Sequence, residues 1–219
     1  MIHVIGESFA AASYLASKFS WASQDPIHYL KGKIPHPSNV PTSFSSNLST
    51  ILHNPVQIHA YQYNSCAYIF DQIYRLSEDS KTNYMVIVFP SFFRNQITVD
   101  GVTYQYSFNE KGSEFSDYVQ QQIAIEINKF NLEDCRKQFN IDIDKAIAHL
   151  NSKRIRFCFI MAEDTFDVSN TDNWVLDPNF DTIRSWALKN QFLNNFEFLN
   201  QKGHIELAKL IIPHLTNTI

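Results

Sequence analysis

Glycine, cysteine and clusters of like charge are scarce in this chain of 219 residues. With five glycines, the sequence has no glycine-rich phosphate loop and no Walker or dinucleotide motif, which counts against a nucleotide-binding domain. Three cysteines (Cys66, Cys135 and Cys158) are an odd number without a C-x-x-C pair. They argue against a disulfide framework or a zinc knuckle. There is also no H-E-x-x-H motif, so we expect no metal and no other cofactor.

Long apolar runs and basic stretches are absent as well. No apolar run approaches the roughly 20 residues that a membrane helix needs. The sequence also lacks a basic segment followed by an apolar one, so it predicts no signal peptide. The formal net charge is -4, whereas nucleic-acid binders usually have a basic face. We therefore expect a cytoplasmic protein that binds neither membrane nor nucleic acid. The sequence does not indicate an oligomeric state.

Apolar spacing gives a clear order of elements. Hydrophobic residues make up 44% of the chain and charged residues 18%, typical of one globular domain, here residues 1–219. Continuous apolar runs predict strands at residues 1–5, 56–60, 84–89 and 155–161. Helical spacing predicts helices at residues 9–19, 48–53, 67–76, 115–130, 143–150, 181–188 and 208–215.

Two segments interrupt this alternation. Residues 97–108 alternate around Asp100-Gly101, which predicts an inserted β-hairpin. Residues 24–47 are rich in Pro, Ser and Asn and predict an irregular surface segment.

The alternation predicts an α/β fold, a three-layer α/β/α sandwich around a mainly parallel sheet. Ligands of such folds bind beyond the carboxyl ends of the strands. Ser8, Asn64, Ser91 and Asp164 each follow a predicted strand. They are therefore the first candidates for a site.

The segment with the most chemical content is an apolar strand followed by Gly6-Glu7-Ser8 and a predicted helix. A serine on such a turn presents its oxygen and the first helix amides to a substrate. The segment resembles the Gly-Asp-Ser motif of the SGNH (GDSL-type) hydrolases, with Glu7 in place of Asp. The resemblance implies that Ser8 is a nucleophile whose amide forms part of an oxyanion hole.

Three later segments match the same family in order. Residues 60–70 replace the family's glycine oxyanion donor with Tyr63-Asn64-Ser65. Residues 87–95 match the loop that often carries an asparagine, for which Asn95 and Ser91 are candidates. In having a serine and an arginine in that loop, the chain resembles divergent, phage-encoded SGNH-like proteins. Residues 199–204 resemble the family's ending, in which Asp-x-x-His precedes Gly-His and a last helix.

The C-terminal register leaves two hypotheses of function. It places Asn195 and Phe198 at the family's Asp and His, while His204 matches a second, usually structural histidine. In the first hypothesis Ser8 attacks a small acyl ester, for example an acetyl ester of a carbohydrate, with His204 or another histidine as base. The second is a catalytically inactive SGNH-fold protein used for binding or assembly. An unrelated flavodoxin-like or Rossmann-like domain is a third alternative.

Overall fold

A computed structural model describes residues 1–7, 9–10, 38–60, 64–108, 115–168, 171–195 and 197–216. The predicted helix at 9–19 and residues 24–37 of the irregular segment fall largely or wholly outside these ranges. Strands and helices alternate along the described chain. In order they are β1 (Ile2–Gly6), α1 (Phe44–Leu52), β2 (Val56–Ala60), α2 (Cys66–Ser77), β3 (Tyr84–Phe89), β4 (Arg94–Val99), β5 (Val102–Ser107), α3 (Asp117–Lys129), α4 (Leu132–Ser152), β6 (Arg156–Met161), α5 (Ile183–Lys189) and α6 (Gln201–Thr216).

The central sheet is parallel, with the strand order β2-β1-β3-β6. Ile2 pairs with Val56 on one side and with Tyr84 on the other, and Tyr84 pairs with Arg156. The carboxyl ends of all four strands therefore lie at one edge, as the apolar runs predicted.

Side chains alternate across the sheet and bury helices on both faces. Ile2 and Val4 face a core shared with α1, α5 and α6. Ile5 and Ile87 face a second core shared with α2 and α4. The predicted three-layer α/β/α sandwich is confirmed.

The predicted hairpin is confirmed too. Strands β4 and β5 form a separate antiparallel ribbon. Its turn holds Asp100 at φ 51° and Gly101 at φ 78°, the left-handed values that a tight hairpin requires. Val99 and Tyr106 pack against α3 in a small third core.

Three predicted boundaries were wrong by several residues, and one of them is the start of α6, which lies at Gln201 rather than near residue 208. The irregular segment ends earlier than residue 47, because Ser43 accepts a hydrogen bond from the Ser46 amide and starts α1 at Phe44. Helix α4 begins at Leu132 rather than near residue 143, where Asn131 caps its first amides. No helix within the described ranges combines the length and apolarity needed to cross a membrane.

Candidate active site

Gly6 ends β1 at a point where a side chain has no room. A Cβ at this position would lie 2.7 Å from the Ala10 Cβ and 3.0 Å from both the Cβ and the carbonyl oxygen of Val88. Glycine is therefore needed here, because the backbone of Gly6 packs closely against β3 and Ala10. Ser8, the predicted nucleophile, follows in sequence but lies outside the described residues.

Asn64 fixes the neighbouring loop to this turn. Its side chain is fully buried, and Nδ2 donates a hydrogen bond of 2.7 Å to the Gly6 carbonyl oxygen. Its Oδ1 accepts no hydrogen bond from the described residues. The next residue, Ser65, starts α2 by accepting from the Tyr68 amide at 3.1 Å. Asn64, just before α2, is thus held against the end of β1.

The loop after β3 is held by two residues of the predicted site. Ser91 Oγ accepts from the Phe93 amide at 3.2 Å. Asp164, which follows β6, accepts from the Phe92 amide at 2.8 Å through Oδ2. Asn95 is the second residue of β4 and is half-buried. Asp164 therefore anchors a loop, a use that the sequence did not reveal.

Charged side chains lie at the same edge of the sheet. Glu7 is buried, and its Oε1 lies 3.9 Å from Arg94 Nη2. Burial, and then the charge of Glu7, raise the pKa of Glu163. Arg184 lies 4.0 Å from Glu163 and lowers its pKa in part. The sequence did not indicate that Glu163 and Arg184 lie at this site. The one available signal was the position of Glu163 shortly after a predicted strand.

No described contact joins His204 to this cluster of charged side chains. It is buried, its Nδ1 accepts from the Phe44 amide at 3.2 Å, and its ring stacks on Phe44 at 5.9 Å. Burial lowers its pKa to about 3. The preceding Gly203 is needed because a Cβ there would lie 2.8 Å from the Phe192 Cβ. This geometry favours the structural role over the catalytic one that the sequence also allowed.

Phe198 occupies the position at which the resemblance expects a histidine. Its ring lies 5.4 Å from the ring of Phe9, the residue that follows Ser8 in sequence. Asn195, at the expected aspartate, is exposed. The C-terminal loop therefore reaches the turn after β1, and it brings an apolar ring there.

Other histidines that could serve as the base have different surroundings. His59 Nε2 lies 2.9 Å from His3 Nδ1, and His3 Nε2 lies 3.0 Å from Thr82 Oγ1. Because the Thr82 hydroxyl donates to the Leu76 carbonyl oxygen, His3 donates to Thr82 and accepts from His59. His53 ends α1, at the opposite edge of the sheet from the strand carboxyl ends. His28 and His36 lie outside the described residues.

A cleft of about 200 Å³ lies beside Arg94 and the start of α2. It lies between the start of α2, the loop after β3, and α4. Arg94, the partner of Glu7, lines it together with Ser65, Cys66, Ala67, Phe70, Phe92, Asn95, Cys135, Gln138, Phe139 and Asp142.

Two of the predicted site residues, Asn95 and Ser91, contribute to this region. Asn95 lines the cleft, and Ser91 orders the backbone just before it. Asn64 lies at the start of α2, next to its cap, and His204 lies on the buried side of α6, facing the start of α1. No group of three or more His, Cys, Asp or Glu side chains in the described part of the chain is arranged to hold a metal ion.

Comparison with known proteins gives structural neighbours only. No protein-family model and no curated protein matches the chain. It is similar to a protein described as lipolytic, of the G-D-S-L family, from Desulfitobacterium hafniense DCB-2, with 11% identity, a TM-score of 0.43, and coverage of 97% of this chain and 98% of the other.

Two carbohydrate esterases are similar over most of this chain. A carbohydrate esterase family 2 enzyme with a carbohydrate binding domain, from Corynascus thermopiles (Myceliophthora fergusii), has 10% identity and a TM-score of 0.49; 98% of this chain and 64% of that one are covered. An acetyl xylan esterase from the rumen bacterium Butyrivibrio proteoclasticus has 10% identity and a TM-score of 0.49, with 98% and 63% covered. The chain thus spans just under two thirds of the length of these two enzymes.

Proposed function

We propose that this chain is an SGNH-like serine hydrolase that removes small acyl groups from esters, carbohydrate esters among them, with Ser8 as the nucleophile. The strongest support is the position of Gly6. Ala10 and Val88 leave no room for a side chain at Gly6, so the glycine permits the turn that leads from β1 to Ala10. Asn64 holds the next loop against that turn. A serine at such a turn faces the carboxyl edge, where ligands of parallel sheets bind.

The proposed reaction has two steps. Ser8 Oγ attacks the ester carbonyl, a base takes its proton, and the alcohol leaves with that proton as the acyl-serine forms. Water then releases the acid. The Ser8 amide, an amide near Asn64 and the Asn95 side chain would hold the negative oxygen. Because His204 is buried and accepts from Phe44, the base is sought among other histidines, with His28 and His36 first.

Ester hydrolysis by the purified chain tests the proposal. Rates with p-nitrophenyl acetate, butyrate and hexanoate are measured for the wild type, Ser8→Ala and the control Ser80→Ala. Ser80 is exposed in the turn between α2 and β3. We expect Ser8→Ala to lower kcat/KM by a factor on the order of 10³ or more and Ser80→Ala to leave it unchanged. Equal rates for the wild type and Ser8→Ala would contradict the proposal.

A second candidate function is binding without turnover, and the contact between Phe198 and Phe9 favours it. An apolar ring there cannot take the serine proton. In this case the wild type is inactive, while Asn195→Asp combined with Phe198→His gains hydrolysis that Ser8→Ala again removes. Wild-type turnover that depends on Ser8 would overturn this candidate.

A further inference from the structure

The cleft beside Arg94 and the start of α2 has an apolar interior and a polar rim. Phe92 and Phe139 meet edge to face at 5.1 Å, and Phe70 lies 5.5 Å from Phe139. Phe92 is buried at 2% exposure and Phe139 at 3%. These rings give the cleft a rigid aromatic wall.

Two thiols continue this wall. Burial, and then the nearby Cys135 and Asp164, raise the pKa of the Cys66 thiol, and burial also raises that of Cys135. Both thiols therefore stay protonated at neutral pH and act as small apolar groups. Ala67, exposed at the mouth, adds a methyl group.

The polar rim is split between two sides. On one side Gln138 donates to Asp142 at 3.0 Å, and Asp142 also pairs with Lys145 at 3.2 Å. On the other side lie Arg94 and Asn95, next to Glu7. The apolar interior thus opens toward the edge at which the ester carbonyl of the proposed reaction would bind.

The volume limits the occupant. An apolar cavity of roughly 150 Å³ binds benzene, with its six carbons, so about 200 Å³ holds about eight. Drug-sized ligands need roughly 300–1,000 Å³. A single acetyl group would leave most of the cleft empty.

We infer that this cleft is an acyl subsite that holds a linear chain of about six to eight carbons. The identification of that chain as an acyl group rests on the proposed function. The preferred substrates are then esters of medium-chain acids rather than acetate esters. The aromatic wall determines which chain lengths fit. The ester group lies at the rim formed by Arg94 and Asn95.

Binding of uncleavable amides tests the inference without turnover. Acetamide, butanamide, hexanamide and octanamide are titrated calorimetrically into the wild type and Ser8→Ala. Each buried methylene should tighten binding by a factor of about four, up to about eight carbons. Affinity that does not change with chain length would overturn the inference.

A bulky substitution locates the bound chain. Ala67→Trp places an indole in the mouth of the cleft and should weaken octanamide binding at least about tenfold, equal to about 1.4 kcal/mol. The matched control is Ala148→Trp on the exposed side of α4, which should bind as the wild type does. Equal affinity in both variants would place the ligand elsewhere and overturn the inference.

The cysteines provide a second readout. Octanamide should slow the alkylation of Cys66 and Cys135 by N-ethylmaleimide, followed by peptide mass spectrometry. Cys158, fully buried in the opposite core, is the internal reference.

Amide binding in a chain that hydrolyses no ester would refute the proposed hydrolysis alone. Ester hydrolysis without chain-length-dependent binding would refute the acyl subsite alone.

Discussion

The buried ring of His204 is the hydrogen-bond acceptor for the first amide of α1. The Phe44 amide is the first of α1 and has no partner within that helix. It donates to His204 Nδ1, so the neutral ring carries its proton on Nε2. Protonation of Nδ1 would remove this acceptor. The hydrogen bond and the burial therefore both favour the uncharged imidazole.

The free energy of unfolding should depend on this ring. The pKa is 6.5 in the unfolded chain and about 3 in the folded one, so the unfolded chain binds the extra proton between these values. Stability is then fully present above pH 6.5 and falls as the pH drops toward 3. Urea unfolding between pH 7.5 and 4.5 measures the slope.

Replacement by glutamine separates the two roles of His204. His204→Gln keeps an acceptor but cannot titrate, so we expect a shallower pH slope and unchanged ester hydrolysis. His3 and His59 also have lowered pKa values and keep part of the slope. His53→Asn is the control, since His53 is exposed. Activity lost as fully as in Ser8→Ala would show that His204 is catalytic.

The sequence predicted some features of single residues and not others. The crowding of Gly6 agrees with the Gly-x-Ser pattern, because that pattern describes a local turn. The partner of His204 is 160 residues away, and the contact of Phe198 with Phe9 depends on how the C-terminal loop packs. No local spacing encodes either contact.

At the scale of elements, helix α2 connects the fold to the site. Its cap, Ser65, directly follows Asn64, and its first turn supplies Cys66 and Ala67 to the cleft. The start of this helix therefore sets the positions of both the predicted oxyanion loop and the acyl subsite.

Loss of this cap should affect stability and binding together. Ser65→Ala removes the acceptor for the Tyr68 amide, at a cost of about 0.5–2 kcal/mol in the free energy of unfolding, and we expect weaker octanamide binding. Ser116→Ala removes the cap of α3, away from the cleft, and should lower stability but leave binding unchanged. Calorimetric titration and urea unfolding check both. Unchanged binding in Ser65→Ala would separate α2 from the subsite.

Element prediction succeeded where apolar runs were continuous. The four central strands are buried on both faces, so their sequences are almost uninterrupted apolar runs. Helix α4 was predicted too short because its first turns carry Glu133, Asp134, Arg136 and Lys137 on the exposed side. Leu132, Cys135 and Phe139 mark the buried side there, and three residues, one of them a cysteine, are too few to reveal a period.

At the scale of the whole molecule, the parallel sheet brings the ends of β1, β2, β3 and β6 to one edge. The sequence predicted this edge because strand direction follows from the alternation of strands and helices. The cleft could not be predicted, since its walls come from α2, α4 and the loop after β3. Those elements meet only when the helices pack on the sheet.

Labelling with a fluorophosphonate probe tests most directly whether Ser8 is an activated nucleophile. The folded wild type and Ser8→Ala are treated in parallel, and the modified peptide is identified by mass spectrometry. We predict one adduct, on Ser8, that is absent from Ser8→Ala. No adduct on the folded wild type, or an adduct on another serine that persists in Ser8→Ala, would contradict the account.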